Sequence, residues 1–338
     1  MTRKLAGFGL LVQFAAGVAM AQPASTGPST ELRTGSGQAY PSRPVRVIVA
    51  QSAGSSIDTI TRIVAPRISE LLGQQLVLDN RGAAAGIIGL EIAARATPDG
   101  YTLAVSGSSA MVNSKFTYKQ LAFDALKDFN AISLFANADS VMVVHPGVPA
   151  KSVRELIALA RAQPGKLNMA SAGIGSSSHL AGIMFVSLSG IHSVHVPYKG
   201  GGPMAASVVA GESQWAIAPA AALTGHVRAG RVRALAISSK ARSPLMPELP
   251  TIDESGVPGY EYNSWNGFFA PKDTSRAIVT RLHGTIQKVL ADPEVTQLYA
   301  TQGLAPQGSS SPEDFAKLVR ADFDRIAKLM KIAGIKPE

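Results

Sequence analysis

Val45–Leu72 reads VRVIVAQSAGSSIDTITRIVAPRISELL, and three local patterns follow one another in it. Val45, Val47, Ile48, Val49 and Ala50 make a short apolar run without clean alternation. That pattern predicts a strand buried on both faces of a parallel sheet. Small residues follow from Ser52 through Ala53, Gly54, Ser55 and Ser56. Ile57, Ile60, Ile63, Val64, Ile68, Leu71 and Leu72 then recur at helical spacing. A strand, a small-residue turn and a helix aim free backbone N–H groups and a positive helix end at one point. Asp58 falls in the first helical turn, where a carboxylate favours the dipole. Pro66, inside the pattern, predicts a kink or a break.

The construction returns at Leu167–Ser189, LNMASAGIGSSSHLAGIMFVSLS. A strand-like segment ends at Ser171, a Gly/Ser loop spans Ala172–Ser178, and Leu180, Ile183, Met184, Val186 and Leu188 follow at helical spacing. Two anion-seeking loops this far apart predict two lobes facing one ligand.

The rest of the chain fits series of βα units. Strand Leu76–Asp79, turn Asn80–Gly89, helix Leu90–Ala96 and strand Tyr101–Ser106 lead to a small loop, Gly107-Ser108-Ser109. Two more strands are predicted at Phe129–Phe135 and Val141–His145, and His145–Pro149 reads as a crossing between lobes. A second series runs from helix Ser152–Ala162 to strand Ala234–Ser238, with strands at Ser193–Pro197 and Trp215–Ala218. After a proline-rich connection, Ser264–Ala270 reads as a strand returning to the first lobe, and three helical stretches close the chain. Strands alternating with helices imply a mostly parallel sheet. The expected fold is α/β: two lobes, each a mostly parallel sheet flanked by helices, with a ligand cleft between them. Residues 40–144 with 263–338 form the expected first lobe and residues 145–262 the second.

The 338 residues suit two domains. Residues 1–21 read as a cleaved secretory signal: Arg3 and Lys4, an apolar stretch Leu5–Ala16, then Ala19-Met20-Ala21. Residues 22–39, rich in Ser, Thr, Gly and Pro, read as a disordered leader. The chain has no cysteine, which removes disulfides and thiolate metal sites and, with the signal, points to a bacterial periplasm. The net charge of +9 is scattered rather than clustered. It suits attraction of a small anion and argues against nucleic acid.

Enzyme motifs are missing: there is no GxSxG, HExxH or GxxxxGK[ST]. Gly173-Ile174-Gly175-Ser176-Ser177-Ser178 approaches a dinucleotide fingerprint, but the next strand ends Val196-Pro197-Tyr198-Lys199-Gly200 without the required acid. No catalytic residue, metal site or cofactor is assigned. His192 and His195 read as ordinary strand residues. His179, beside the serine-rich loop, is read as capping or packing it ahead of touching a ligand. Tyr198 is a candidate ligand wall. Trp265 is read first as core, on a strand that also borders the cleft.

A series of short motifs falls in order along the chain: Tyr40-Pro41-Ser42-Arg43-Pro44, the Ser52–Asp58 turn, Asn80-Arg81, Pro98–Leu103, Pro164–Leu167, His179–Gly182, His195–Gly200, Ala229-Gly230 with Arg233–Ala236, and Leu249-Pro250-Thr251. Together they resemble the Bug proteins, the substrate-binding proteins of tripartite tricarboxylate transporters, over nearly everything from Tyr40 to Glu338. The resemblance implies a two-lobe periplasmic binding protein fold (type II-like) crossed twice by the chain, with strand–turn–helix loops of both lobes gripping a ligand carboxylate through backbone groups and water. Three stretches depart from the family's usual pattern. Ala53-Gly54-Ser55-Ser56-Ile57-Asp58 stands where Pro-Gly-Gly-Gly/Ser-Thr-Asp is usual, and Gly82–Ile87 where Pro-Gly-Ala-Gly-Gly-Asn is usual. Ala218-Pro219 stands where an Asp is common.

The expected function is capture of a small carboxylate-bearing organic anion for uptake or sensing, by a monomer working with a tripartite tricarboxylate-type membrane transporter. The alternative is a hydrolase or other enzyme on the same scaffold. Expected ligand-binding residues are Ala53, Gly54, Ser55, Ser56 and Asp58 in the first loop and Ser108 and Ser109 in the third. In the second lobe they are Ser171, Gly173, Ser176, Ser177, Tyr198 and Pro219.

Overall fold

The computed structural model describes residues 40–243, 245–332 and 334–337. The signal and leader read at residues 1–39 lie outside them. β1 (Val45–Val49) runs parallel to β2 (Leu76–Asn80) on one side and β3 (Thr102–Gly107) on the other. Val45, Val47, Ile48 and Val49 are all fully buried, which is why the run carries no alternation.

α1 (Ser56–Leu72) follows, capped by Ser55, whose Oγ accepts the Asp58 N–H at 3.3 Å. Its stripe of Ile57, Ile60, Val64, Ile68 and Leu72 is buried beside α8 (Arg276–Leu290) and α9 (Pro293–Thr301). The helix does not break at Pro66. Pro66 sits on the exposed face, where the Arg62 carbonyl that loses its amide partner can be solvated, and burial of Val64 and Ile68 holds the helix on either side.

The turn expected to last until Gly89 is shorter. A 3₁₀ turn at Ala83–Gly86 leads into α2 (Ile87–Ala94), because Ile87, Leu90 and Ala93 have a core face to fill. A Cβ on Gly86 would lie 2.1 Å from the Ala50 carbonyl oxygen, so this loop rests directly on the end of β1. Gly107 belongs to β3, and the expected loop after it is a π-helical turn, Ser109–Asn113, continued by α3 (Ser114–Thr117).

The strands expected at Phe129–Phe135 and Val141–His145 are one strand, β4 (Phe129–Val144). Its residues from Phe129 to Asp139 pair antiparallel with β9 (Asn263–Pro271), which also pairs with β3. From Ser140 to Val144 it pairs instead with β7 (Trp215–Pro219) and β8 (Arg233–Ile237). The chain therefore passes from one half of the sheet to the other between Asp139 and Ser140, ahead of His145. The polar and small residues Asn137–Ser140 read as a break in sequence. Pairing with β9 carries the strand through them, and the Ser140 N–H bonds Ser238 Oγ at 2.9 Å.

β5 (Asn168–Ser171) and β6 (Val194–Pro197) complete the second half, parallel to each other, with β5 parallel to β7. The strand order is β2-β1-β3-β9-β4-β7-β5-β6, with β8 also on β4. α4 (Val153–Ala162), α5 (Ser177–Ser189), α6 (Gly201–Ala210) and α7 (Ala220–Arg228) flank the second half. α10 (Pro312–Ile332) packs on β4 and on α5. Trp265 is core: its indole N–H bonds Asp322 at 3.0 Å and its ring meets Phe315 and Phe269. The architecture is mixed α/β, a central sheet flanked by helices.

Candidate functional site

Strand registers alone bring the two sets of loops together. Gly107, at the end of β3, lies opposite Asn266, which lies opposite Ala136 of β4. Pro219, at the end of β7, lies opposite Ser140 of the same strand. Four residues of extended chain span about 13 Å. The C-terminal ends of the parallel strands in both halves thus converge on one short length of β4, where a small molecule fits between them.

In the first half, the Ser52–Ser56 turn is held from below. Asp58 is 2% exposed, and its carboxylate accepts the Gly54 N–H at 2.8 Å, Arg62 Nε at 3.0 Å and Asn80 Nδ2 at 2.9 Å. Burial would raise its pKa, but the bonds from Arg62, Gly54 and Asn80 outweigh it and hold the carboxyl below its usual range. Asp58 therefore braces the turn and ties it to the end of β2. Ala53, Gly54 and Ser56 are exposed, and Ser55 caps α1. Ser108 is buried and Ser109 half-buried at the start of the π turn.

The second loop is a denser network. Ser171, fully buried, bonds His195 Nε2 through its Oγ at 2.7 Å and accepts the Gly173 N–H at 3.2 Å. Ser176 Oγ donates to the Gly173 carbonyl at 2.6 Å and accepts the His179 N–H at 3.2 Å, capping α5. Ser178 Oγ accepts the Ala172 N–H at 2.8 Å. His179 Nδ1 accepts the Gly175 N–H at 3.1 Å, and its ring stacks on His195 with centroids 3.9 Å apart and planes 13° apart. Burial, and then the neighbouring His195, push the His179 pKa down to about 4; burial lowers that of His195 too. Both rings are neutral at pH 7. Burial pushes the Tyr262 phenol up to about 12, against a smaller opposing pull from the neighbouring Ser177 and Asn113. Tyr198 is half-buried, with its hydroxyl 3.2 Å from Ser213 Oγ, and Pro219 precedes α7.

A cavity of about 300 Å³ opens where the two halves meet. Ala85 and Ile87 form one wall, and the Ser109–Tyr118 segment supplies a second through Ser109, Asn113 and Thr117. Ala172, Gly175 and Ser176 form the third, and Ile335 and Lys336 close it. Asn113 Nδ2 donates to the Gly175 carbonyl at 2.9 Å, a direct bond between the halves. Of the residues singled out from sequence, Ser109 and Ser176 line this cavity. Asp58 and Ser171 lie beneath their loops with their polar atoms engaged, while Tyr198 and Pro219 stand at the ends of β6 and β7. The sequence reading missed Asn113, Thr117, Ile335 and Lys336. The spacing of Ala110, Met111, Ser114 and Phe116 carried a weak helical signal for the first two, and nothing in sequence marked the last two.

The Ser171–His195 contact resembles a nucleophile and its base. Ser171 is fully buried, however, and its hydroxyl also serves the Gly173 backbone, so the contact holds the loop. Among the described residues no cluster of His, Asp or Glu could hold a metal, and no helix is long and apolar enough to cross a membrane.

Residues 60–335 match the tripartite tricarboxylate transporter family receptor. The chain belongs to this family. BugT of Bordetella pertussis is 32% identical over 337 residues, covering 99% of each chain. A Rhodopseudomonas palustris protein, Rpa4515, solved with adipate, superposes with a TM-score of 0.81 at 33% identity, covering 88% of this chain and all of that one. MatC of the same organism, solved with bound malate, superposes with a TM-score of 0.75 at 27% identity, covering 86% and 99%. The receptor family comprises periplasmic solute-binding proteins rather than enzymes, as the absence of enzyme motifs had indicated.

Proposed function

We propose that this receptor captures a small organic anion bearing a carboxylate and hands it to a tripartite tricarboxylate-type membrane transporter, acting as a monomer in the periplasm. The observation that carries the reading is the cavity where loops from both halves of the sheet meet. It lies beside the first turn of α5, its lining includes serine and threonine hydroxyls, and among the described residues no acidic side chain lines it. Free N–H groups at such a helix end favour negative charge. The adipate and malate found in two structural neighbours are anions of this class.

The exposed Ala53, Gly54 and Ser56 of the first turn would meet the same ligand as Ser109 and Ser176. Two lobes, divided where β4 changes partners between Asp139 and Ser140, would close on it by bending there. Calorimetric titration with adipate, malate and the diamide of adipate tests the reading. The acids are expected to bind and the diamide not. Equal binding of adipate and its diamide refutes the anion site.

A further inference from the structure

The cavity is closed by a segment that has no part in either sheet. α10 ends at Ile332, and Gly334 (φ +63°) reverses the chain: its N–H bonds the Lys331 carbonyl at 3.2 Å, and the Ile335 N–H bonds the Met330 carbonyl at 3.1 Å. These are the two bonds of a Schellman turn. The apolar contact that usually accompanies such a turn is present, with Ile335 packed on the core that holds the buried Met330. The turn lays Ile335 and Lys336 across the cavity instead of letting the chain run out along the helix axis.

Among the described residues Lys336 is the one charged side chain lining the cavity, and it has no ion pair with any of them. At about 300 Å³ the space is at the small end of ligand sites and suits a chain of a few carbons.

We propose that Lys336 is a specificity-determining residue: its ammonium, delivered by the turn after α10, pairs with a second anionic group at the far end of the ligand. The site then selects ligands charged at both ends. This rests on the anion-capture reading above. An ammonium on a flexible stem acts as a movable point charge, so it can follow carboxylates on chains of slightly different length.

The test is calorimetric titration of the full mature chain with linear dicarboxylates of about four to eight carbons and with the monocarboxylates of matching length, a range chosen to fit a small cavity. Wild type is expected to bind at least one diacid about tenfold or more tighter than its monoacid. Lys336→Gln should bring that diacid down to the level of the monoacid and leave the monoacid unchanged, and Lys336→Arg should keep the preference. Wild-type binding of both series without preference overturns this inference and leaves anion capture standing. Equal weakening of both series in Lys336→Gln, or a preference that survives it, likewise overturns the inference alone. Failure of every acid in both series to bind overturns the two readings together.

Discussion

Replacing Gly175 by alanine tests how the two halves meet. Gly175 has φ +74°, and a Cβ there would lie 2.3 Å from Thr117 Cγ2. Two penalties follow. A side chain in the left-handed region costs about 1–2 kcal/mol. Forcing a methyl into Thr117 adds about 1–3 kcal/mol, as overpacking does elsewhere. Thr117 has little freedom to yield, because its hydroxyl bonds the Asn113 and Ser114 carbonyls at 3.3 and 3.4 Å. Urea unfolding followed by circular dichroism should therefore show Gly175→Ala destabilised by about 2–5 kcal/mol. Thr117→Ser deletes Cγ2 and keeps the hydroxyl. Combined with Gly175→Ala it should restore the share due to the clash, about 1–3 kcal/mol, and leave the backbone strain. If Thr117→Ser leaves the penalty of Gly175→Ala unchanged, the contact between the halves is not as described. A neutral Gly175→Ala would refute both terms.

Two further outcomes concern pH. Asp58 has its pKa lowered in the fold, so the stability it contributes is present above the ordinary carboxylate pKa and is lost as pH falls through the folded value. Asp58→Asn should cost about 1.5–3 kcal/mol at pH 7, the range for hydrogen bonds to a charged group, and the gap to wild type should narrow as pH falls below the ordinary carboxylate pKa; a gap that does not narrow would show that the charge is immaterial. His179, with its pKa lowered to about 4, stays neutral in the fold while the unfolded chain takes up a proton near 6.5. Stability is therefore complete above that pH and declines as pH falls from 6.5 towards 4, by up to about 3 kcal/mol for this one group. His179→Asn keeps an acceptor for the Gly175 N–H, so thermal melts from pH 7 to pH 4.5 should flatten for the variant; parallel curves for the two proteins would rule His179 out.

Much of this receptor was legible in its residues. The βα rhythm, the buried strand at Val45–Val49 and the caps at Ser55 and Ser176 depend on periodicity and short-range hydrogen bonding, which a sequence displays directly. The order of short motifs from Tyr40 onward pointed to the right family for the same reason. Where the reading failed, a distant partner had overridden local preference. Asn137–Ser140 looks like a break and is strand because β9, over a hundred residues later, pairs with it as far as Asp139 and β7 takes over at Ser140. Pro66 looks like an end and is tolerated because the core on one side of α1 holds the helix together.

The site divides along the same line. The Gly/Ser loops at strand ends could be read from sequence because close approach of backbone demands small residues at fixed offsets. That His179 stacks on His195, that Asn113 reaches the Gly175 carbonyl, and that Lys336 closes the cavity are matters of distance between segments far apart in the chain. The sequence by itself determined most of the strands and helices and where small residues leave backbone uncovered at strand ends. Only the tertiary structure decided which side chains surround that backbone, because strand register and the turn after α10 set contacts that no local pattern encodes.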